Sequence, residues 1–269
     1  MTLSNKLIHP LKTLQFSKKA WFVSLLIAQC VFVTYLALGY GFSAATANID
    51  AWNKFNQTAY VENDILGNTL YGLHVLLAIV MIIGGSMQLI PQIRQRFSRF
   101  HRINGRVFVL FACIISIAGL ILINTRGTVG NFLMHSLTSF SGLVVLTSSY
   151  FAVMAARKHK IAIHQTWAIR LFLAANGVLF FRLMLFAWLL GFGTLGINFE
   201  DFTGPTVVSI SVCSYVVPLL IFECVRFAEK SKKSVLCYLC CALLIMISLI
   251  FLVGLFGISA GSWFPAVMA

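Results

Sequence analysis

Long apolar stretches separated by short polar segments dominate the pattern of the chain. A membrane-spanning helix needs roughly 20 apolar residues at a rise of about 1.5 Å per residue, and seven stretches reach this length. They are continuously apolar and do not alternate with polar residues, so we predict helices and not barrel strands. The predicted spans are Trp21–Tyr40, Leu70–Ile90, Val107–Ile123, Phe132–Ala155, Trp167–Leu190, Thr206–Phe227 and Val235–Phe256.

The composition agrees with this pattern and excludes several classes of protein. Of 269 residues, 59% are hydrophobic and only 10% are charged, whereas soluble domains carry about 25% charged residues. We therefore exclude a soluble globule, a disordered chain and a nucleic-acid-binding domain. The net charge of +13 lies in short runs between the spans, which is typical of the loops of a multi-pass membrane protein.

The distribution of charge predicts the orientation. The segments before span 1 and after spans 2, 4 and 6 are rich in Lys and Arg, whereas Lys54 and Arg126 are the only basic residues between the spans on the other side. The positive-inside rule then predicts a cytoplasmic N-terminus and a C-terminus outside, which agrees with an odd number of spans. We expect the chain to lie in a bacterial inner membrane.

The predicted fold is therefore all-α, with seven transmembrane helices around a four-helix core. Residues 1–20 form an amphipathic leader that we expect along the cytoplasmic lipid surface. Residues 21–269 form a single membrane domain, whose core helices 2–5 occupy residues 70–190. The one long outer loop, Gly41–Thr69, carries Trp52, Phe55 and Tyr60. It either folds over the outer face or is an irregular connector.

The cysteines and the familiar short motifs do not indicate a catalytic site. All seven cysteines lie within spans or at their edges, so we expect no structural disulfide. Cys237 and Cys240 form a CxxC sequence without a second pair, and packing explains them better than redox chemistry. The sequence contains no GxGxxG, P-loop or HExxH motif.

Four histidines fall one to a helix on spans 2–5. His74 and His135 lie about one turn inside the outer ends of helices 2 and 4, and His101 and His164 precede the cytoplasmic starts of helices 3 and 5. Histidines in spans are costly and mark candidate sites. Two imidazoles at each level predict two bis-histidine haem b sites, in which all four residues ligate haem iron.

Helical periodicity supplies further candidates for these sites. Offsets of 7, 11 and 18 residues return to nearly the same helix face, so Gly85, Gly119 and Gly142 are expected to leave room for porphyrin. By the same rule Arg182 lies on the bundle face near the outer level, 18 residues after His164. Arg182, and Arg126 in the third outer loop, are candidates for holding haem propionates or an anionic substrate headgroup.

The stretch from His74 to Arg182 resembles a family of bacterial membrane proteins known as domain of unknown function 2306. The resemblance covers about four of the seven helices and implies a membrane topology but no chemistry. It rests on Leu73-His74, the Gly85–Gln88 region, the HRxxGRV block at His101–Val107, the HxxWxxR block at His164–Arg170, and Arg182-Leu183. The histidine pattern also resembles the ascorbate-reducible di-haem transmembrane cytochromes b, which place haem ligands on four consecutive helices.

Three functions remain open on this evidence. The preferred one is a haem b electron carrier that a quinol or another small reductant would reduce at one membrane face. The second is a transporter of small molecules or anions, with Arg182, Asn176 and the polar outer ends of helices 4 and 5 forming a midplane anion site. Against it, the sequence shows no inverted repeats, and Pro218 is the only proline well inside a span. The third is a non-catalytic scaffold or assembly factor.

Overall fold

Helices form nearly all of the computed structural model, which describes residues 3–56, 58–127 and 130–268, with side chains from residue 9 onward. No strand occurs within these ranges. Short π-helical turns at Ala37–Gly41 and Ser259–Trp263, and a 3-10 turn at Ile49–Lys54, join or extend the α-helices. The α-helices are α1 (Leu3–Leu36), α2 (Phe42–Ala45), α3 (Ile65–Leu89), α4 (Pro91–Arg96), α5 (Ser98–Thr125), α6 (Phe132–Arg157), α7 (Ile161–Ala175), α8 (Gly177–Phe192), α9 (Pro205–Ser231), α10 (Ser234–Ile258) and α11 (Phe264–Met268).

Local sequence signals explain several helix ends. Asp64 caps α3 by accepting a hydrogen bond from the Gly67 amide, and Asn131 caps α6 in the same way through the Met134 amide. Pro91 and Pro205 occupy the first positions of α4 and α9, where a missing N–H group is tolerated. The predicted end of span 2 at Ile90 is therefore confirmed to within one residue, because α3 ends at Leu89.

Six helices in the described chain are long and apolar enough to cross a membrane, and the pair α7 and α8 forms a seventh span if its two halves are counted together. Large apolar side chains face outward, among them Phe256 at 70% and Phe227 at 60% exposure, as suits contact with lipid. The predicted all-α, multi-pass architecture is confirmed. The fifth span differs from the prediction of one straight helix, because it bends by 49° between its halves.

The leader also differs from the prediction. It does not form a separate surface helix, because α1 runs unbroken from Leu3 through the first span. Leu14 and Ser17 are buried, and Leu14 packs into an apolar cluster with Cys237 and Cys240 of α10. Lys18 pairs with Glu229 of α9 at 2.7 Å. These contacts hold the leader against the bundle. They also give the buried cysteines the packing role that the sequence predicts.

The core spans pack in chain order, α3 on α5, α5 on α6 and α6 on α7. The remaining helices close the bundle, with α10 packed on α1 and α8, and α9 packed on α6 and α8. We refer to the end that carries residues 46–64 as the lid end, and to the opposite end as the basic end. The basic end carries the arginines of α4 and the start of α5.

Asn176 lies at the bend between α7 and α8. Its side-chain amide donates to the carbonyl of Phe172 at 2.8 Å, and its carbonyl oxygen accepts from the Gln29 amide at 2.7 Å. Ser86 of α3 donates in turn to the carbonyl oxygen of Gln29. All three side chains are buried. This polar network ties α1 and α3 to the bend and satisfies a backbone group that lipid could not.

We predict that Gly254→Ala destabilises the bundle by about 1–3 kcal/mol, because overpacking forces neighbouring backbone to move. A Cβ at Gly254 of α10 would overlap the carbonyl group of Leu183 in α8. The melting temperature in detergent measures the effect. Gly191→Ala is the matched control, since no described atom lies within 4 Å of its new Cβ apart from its chain neighbours and the nearby backbone of its own helix. Equal melting temperatures for the two variants would contradict this account of the α8–α10 contact.

Candidate functional site

A cavity of about 350 Å³ lies among α1, α3, α5, α6, α8 and α9 and extends to the lid end. Small-molecule sites usually enclose about 300–1,000 Å³, so the space suits a compact ligand. Apolar side chains such as Phe32, Leu36 and Met81 form much of its wall. The polar residues that line it are Tyr40, Asn56, Thr58, Tyr71, His74, Ser116, Arg126, Thr138, Ser141, Asn176, Arg182 and Tyr215.

Arg182 of α8 contributes a positive charge to this cavity. It lies where helical periodicity predicted it, on the inward face of the fifth span. Within the described chain no hydrogen bond or ion pair joins its guanidinium to another residue, and its nearest recorded partner is the ring of Phe32, 5.3 Å away. The guanidinium is thus partly buried in the cavity wall without a carboxylate to balance it, which is energetically costly inside a membrane.

A row of hydrogen-bonding groups runs from the lid toward the cavity interior. The Asn56 amide donates to the Tyr71 hydroxyl at 3.2 Å, and the Tyr71 hydroxyl donates to that of Tyr40 at 3.3 Å. Thr138 and Ser141 of α6 add further hydroxyls to the wall. The protons of the Tyr71, Thr138 and Ser141 hydroxyls are already donated within the protein. A ligand in this cavity would therefore meet Arg182, which has no counter-ion, and the free hydroxyl proton of Tyr40, an arrangement that suits an acid group.

His74 is the one predicted haem ligand among the described residues that line the cavity. Its Nδ1 lies 3.0 Å from the carbonyl oxygen of Ile115 in α5. Its partner in the predicted outer pair, His135, lies in the first turn of α6 beside the connection from α5, where a Cβ at Gly127 would be 3.8 Å from its ring. Both histidines lie toward the lid end of the bundle, but only His74 lines the cavity.

His101 and His164 lie together at the basic end, in the first turns of α5 and α7. They are close enough to interact electrostatically. The Nδ1 of His164 lies 3.0 Å from the carbonyl oxygen of Ala152, whereas the Nδ1 of His101 is buried without a hydrogen-bond partner among the described residues. The structure therefore brings this predicted pair to one place.

The glycines expected to leave room for porphyrin differ in their surroundings. A Cβ at Gly85 would lie 2.6 Å from the ring of Phe108, so a side chain of the neighbouring helix fills the space there and the expectation is wrong at this position. Gly119 and Gly142 do line the cavity. A Cβ at Gly119 would lie 3.1 Å from the His74 ring, and one at Gly142 would lie 3.4 Å from Leu120.

Arg126 differs from Arg182 because protein acceptors occupy its guanidinium. Nε and Nη2 donate to the Asp64 carboxylate at 2.9 and 2.6 Å, and Nη2 also donates to Asn68. Nη1 donates to the carbonyls of Thr58 and Ala59. These five bonds match the five N–H groups of an arginine. Arg126 lines the cavity mouth as an anchor that holds the lid to α3 and α5.

The lid, residues 46–64 apart from 57, covers the end of the bundle. Trp52 is buried, donates to the carbonyl of Tyr40 at 3.1 Å, and packs where Gly72 provides space. Phe55 packs against Gly39 in the same way. The expectation that Trp52 and Phe55 fold over this face is confirmed, and the alternative of an irregular connector is wrong.

Several polar residues of the site were not identified from the sequence. Tyr40 and Tyr71 lie near helix ends, where tyrosine is common at any membrane interface. Gln29 was the better signal, because an uncharged amide in the middle of an apolar span needs a buried partner. Its partners, Ser86 and Asn176, come from distant spans, so a single sequence did not connect them.

The fold and the cavity define a helical, multi-pass membrane protein with a polar site enclosed between its spans. The chain belongs to the family described as "Predicted membrane protein (DUF2306)", whose model matches residues 71–225, from α3 into α9. This match confirms the resemblance drawn from the HRxxGRV and HxxWxxR blocks. No curated protein matches the chain, and no solved structure does. Membership of the family therefore establishes a membrane protein without assigning it an activity.

We predict that Asp64→Asn loosens the lid, because the substitution removes the charge that pairs with Arg126. Amide hydrogen exchange in residues 46–64 should become severalfold faster, while exchange within the spans stays unchanged. Asp50→Asn is the control, since Asp50 is an exposed lid residue with no ion pair in the described structure. Equal exchange in the two variants would show that the Asp64–Arg126 pair does not hold the lid.

The same pair predicts how the lid responds to pH. The Gly67 amide and the Arg126 guanidinium lower the pKa of Asp64. A lowered pKa in the folded state means that this carboxylate stabilises the lid above its unfolded pKa of about 3.9, and that the stabilisation is lost as pH falls through the folded value. Exchange in the wild-type lid, corrected for intrinsic rates, should therefore stay constant down to about pH 4. A rise already at neutral pH would contradict the assignment.

Proposed function

We propose that this membrane protein binds a small, mostly apolar acid in its central cavity and moves it through the membrane. The observation that carries the proposal is Arg182, a guanidinium without a counter-ion in the described structure, inside a cavity between spans. An unpaired arginine in a spanning helix is costly, and the cost reaches about 2.5–3.5 kcal/mol at the bilayer centre. The acid group of a ligand would supply the missing charge and offset that cost.

The other residues that line the cavity indicate what the ligand carries besides its acid group. Phe32, Leu36 and Met81 offer apolar surface. The Tyr40 hydroxyl, which accepts from Tyr71 and keeps its own proton, is the donor for the second oxygen of an acid group. The modest volume favours a single chain or ring over a large cofactor. A medium-chain carboxylic acid has this combination of charge, length and apolar surface.

The bend beside the cavity supports movement of the ligand and not binding alone. Transporters often place substrate sites where a spanning helix is interrupted, because irregular backbone is tolerated there only when it lines a cavity. Asn176, Val178 and Leu179 at the start of α8 line this cavity, and the positive end of the α8 dipole lies on the same side. We place the protein in a bacterial inner membrane, with the basic end in the cytoplasm, as the charge distribution predicts.

The proposal predicts that decanoate stabilises the purified protein more than decanol, which has the same chain without the charge. A ligand at 100 times its Kd stabilises by about 2.7 kcal/mol, so we expect a rise of several degrees in melting temperature. Arg182→Gln should abolish the difference between acid and alcohol, and Arg182→Lys should keep part of it. Without ligand, Arg182→Gln should melt no lower than wild type, since it removes an unbalanced charge.

Arg106→Gln is the matched control, because this exposed arginine at the basic end lies far from the cavity lining. It should respond to decanoate as wild type does. The proposal fails if decanoate and decanol stabilise wild type equally, or if Arg182→Gln retains the preference for the acid. Transport itself is tested by uptake of labelled decanoate into vesicles that contain wild-type or Arg182→Gln protein.

A haem b electron carrier is our second candidate, and the anchoring of two imidazoles favours it. The Nδ1 atoms of His74 and His164 each face a backbone carbonyl oxygen, which leaves Nε2 as the ligand atom. Metal-bound histidines usually have such a partner. Bound haem would supply one-electron transfer from a quinol or another small reductant. The Phe108 ring fills the face of Gly85, and His135 does not line the cavity beside His74, so support for two haems is limited to the imidazoles.

The haem proposal predicts a red protein whose Soret band shifts on addition of dithionite. His101→Ala or His164→Ala should each remove a low-spin haem signal. His159→Asn should not, since His159 is exposed and its φ of 55° suits asparagine. A colourless preparation from haem-supplied cells, or equal loss in all three variants, would overturn the assigned ligands and leave the acid-binding proposal intact.

A further inference from the structure

A second concave surface lies outside the central cavity, on the lipid-facing side of α6, α7 and α9. This groove encloses about 440 Å³, and its walls are mostly apolar. Phe140, Leu143 and Leu220 line it and are each about half exposed. Because the groove lies between membrane-spanning helices, lipid is the medium that reaches it. An apolar channel of this kind matches the surface of an acyl chain.

One end of the groove carries a cluster of three charges. Glu223 accepts hydrogen bonds from Nε and Nη2 of Arg170 at 2.9 and 2.7 Å, and its other oxygen accepts from Nη1 of Arg226 at 2.7 Å. The Arg170 guanidinium also stacks on the Trp167 ring at 4.3 Å. Two guanidiniums thus share one carboxylate, and the cluster keeps a net positive charge.

Some N–H groups of Arg170 and Arg226 are not used in hydrogen bonds to Glu223. Each arginine has five N–H groups, and Arg170 uses two of them on Glu223 while Arg226 uses one. Both side chains remain accessible, at 26% for Arg170 and 43% for Arg226. Guanidinium groups bind phosphate oxygens in paired hydrogen bonds. The free donors therefore suit a phosphate that approaches from the lipid side.

The depth of the cluster agrees with a lipid headgroup. Arg226 lies five residues before the end of α9 at Ser231, which corresponds to about 7.5 Å along a helix. Arginine side chains at this depth extend toward the membrane interface. The apolar part of the groove runs deeper, past Leu219 and Leu143. The headgroup of a bound lipid would thus lie at the charged cluster near the interface, and its acyl chain would lie deeper, along the apolar wall.

The hydrogen bonds that Glu223 already accepts from arginine favour one class of lipid headgroup over another. Glu223 already accepts three hydrogen bonds from arginine, so an ammonium group of a zwitterionic lipid would find two cations and only one remaining acceptor site on the carboxylate. We propose that the groove binds one anionic glycerophospholipid, with its phosphate at Arg226 and Arg170 and an acyl chain along α6 and α9. This site is independent of the acid-binding cavity.

Native mass spectrometry of the full chain in detergent tests the site. Delipidated protein is titrated with phosphatidylglycerol or with phosphatidylcholine of identical acyl chains, and the population with one bound lipid is measured. Wild type should prefer phosphatidylglycerol, and Arg226→Ala should lower its affinity for that lipid about fivefold, as expected for one cation worth about 1 kcal/mol. Melting temperature and the response to decanoate confirm that the variant is folded.

Arg157→Ala is the control, because Arg157 ends α6 on the same side of the bundle but does not line the groove. It should bind phosphatidylglycerol as wild type does. A wild type without preference, an Arg226→Ala variant that keeps the preference, or an equal loss in Arg157→Ala would each overturn the proposal. The last result would mean that diffuse positive charge attracts the lipid. None of these outcomes bears on Arg182 and the cavity.

Discussion

The hydrogen bonds at Asn176 are the constraint on which the site depends. A helix that bends within lipid frees backbone groups that have no water to bond. Here the Asn176 amide donates to the Phe172 carbonyl, Gln29 of α1 donates to the asparagine, and Ser86 of α3 donates to Gln29. The bend is therefore stable, and α8 leaves it with Arg182 facing the cavity. A fully regular helix would not need this buried network.

Two arginines that look equivalent in the sequence have different roles in the structure. Arg126 and Arg182 both lie near the same end of the bundle, and both qualify as partners for an acid. The acceptors of Arg126 come from the lid and α3, including two backbone carbonyls. No described acceptor reaches Arg182. Since an arginine with all donors occupied has little to offer a ligand, the unpaired one defines the candidate site.

The architecture could be predicted from the sequence because lipid imposes length and apolarity on every span. The same rule did not predict the bend, since Asn176 is one polar residue in an otherwise apolar stretch and its effect depends on Gln29. The 18-residue offset from His164 placed Arg182 on the inward face, although the two residues lie in α7 and α8 on either side of the bend. Periodicity failed for Gly85, where the outcome depends on which side chain of a neighbouring helix, here Phe108, enters the gap.

The two candidate ligands share an acid group, so Arg182 alone does not distinguish a carboxylic acid from a haem propionate. The space around His74 does. Ligation of haem by two histidines needs a second imidazole opposite His74, and His135, its predicted partner, does not line the cavity. A flexible acid needs no second imidazole and follows the cavity as it is. The geometry at the lid end therefore favours the acid, and the haem argument is strongest at His101 and His164, away from the cavity.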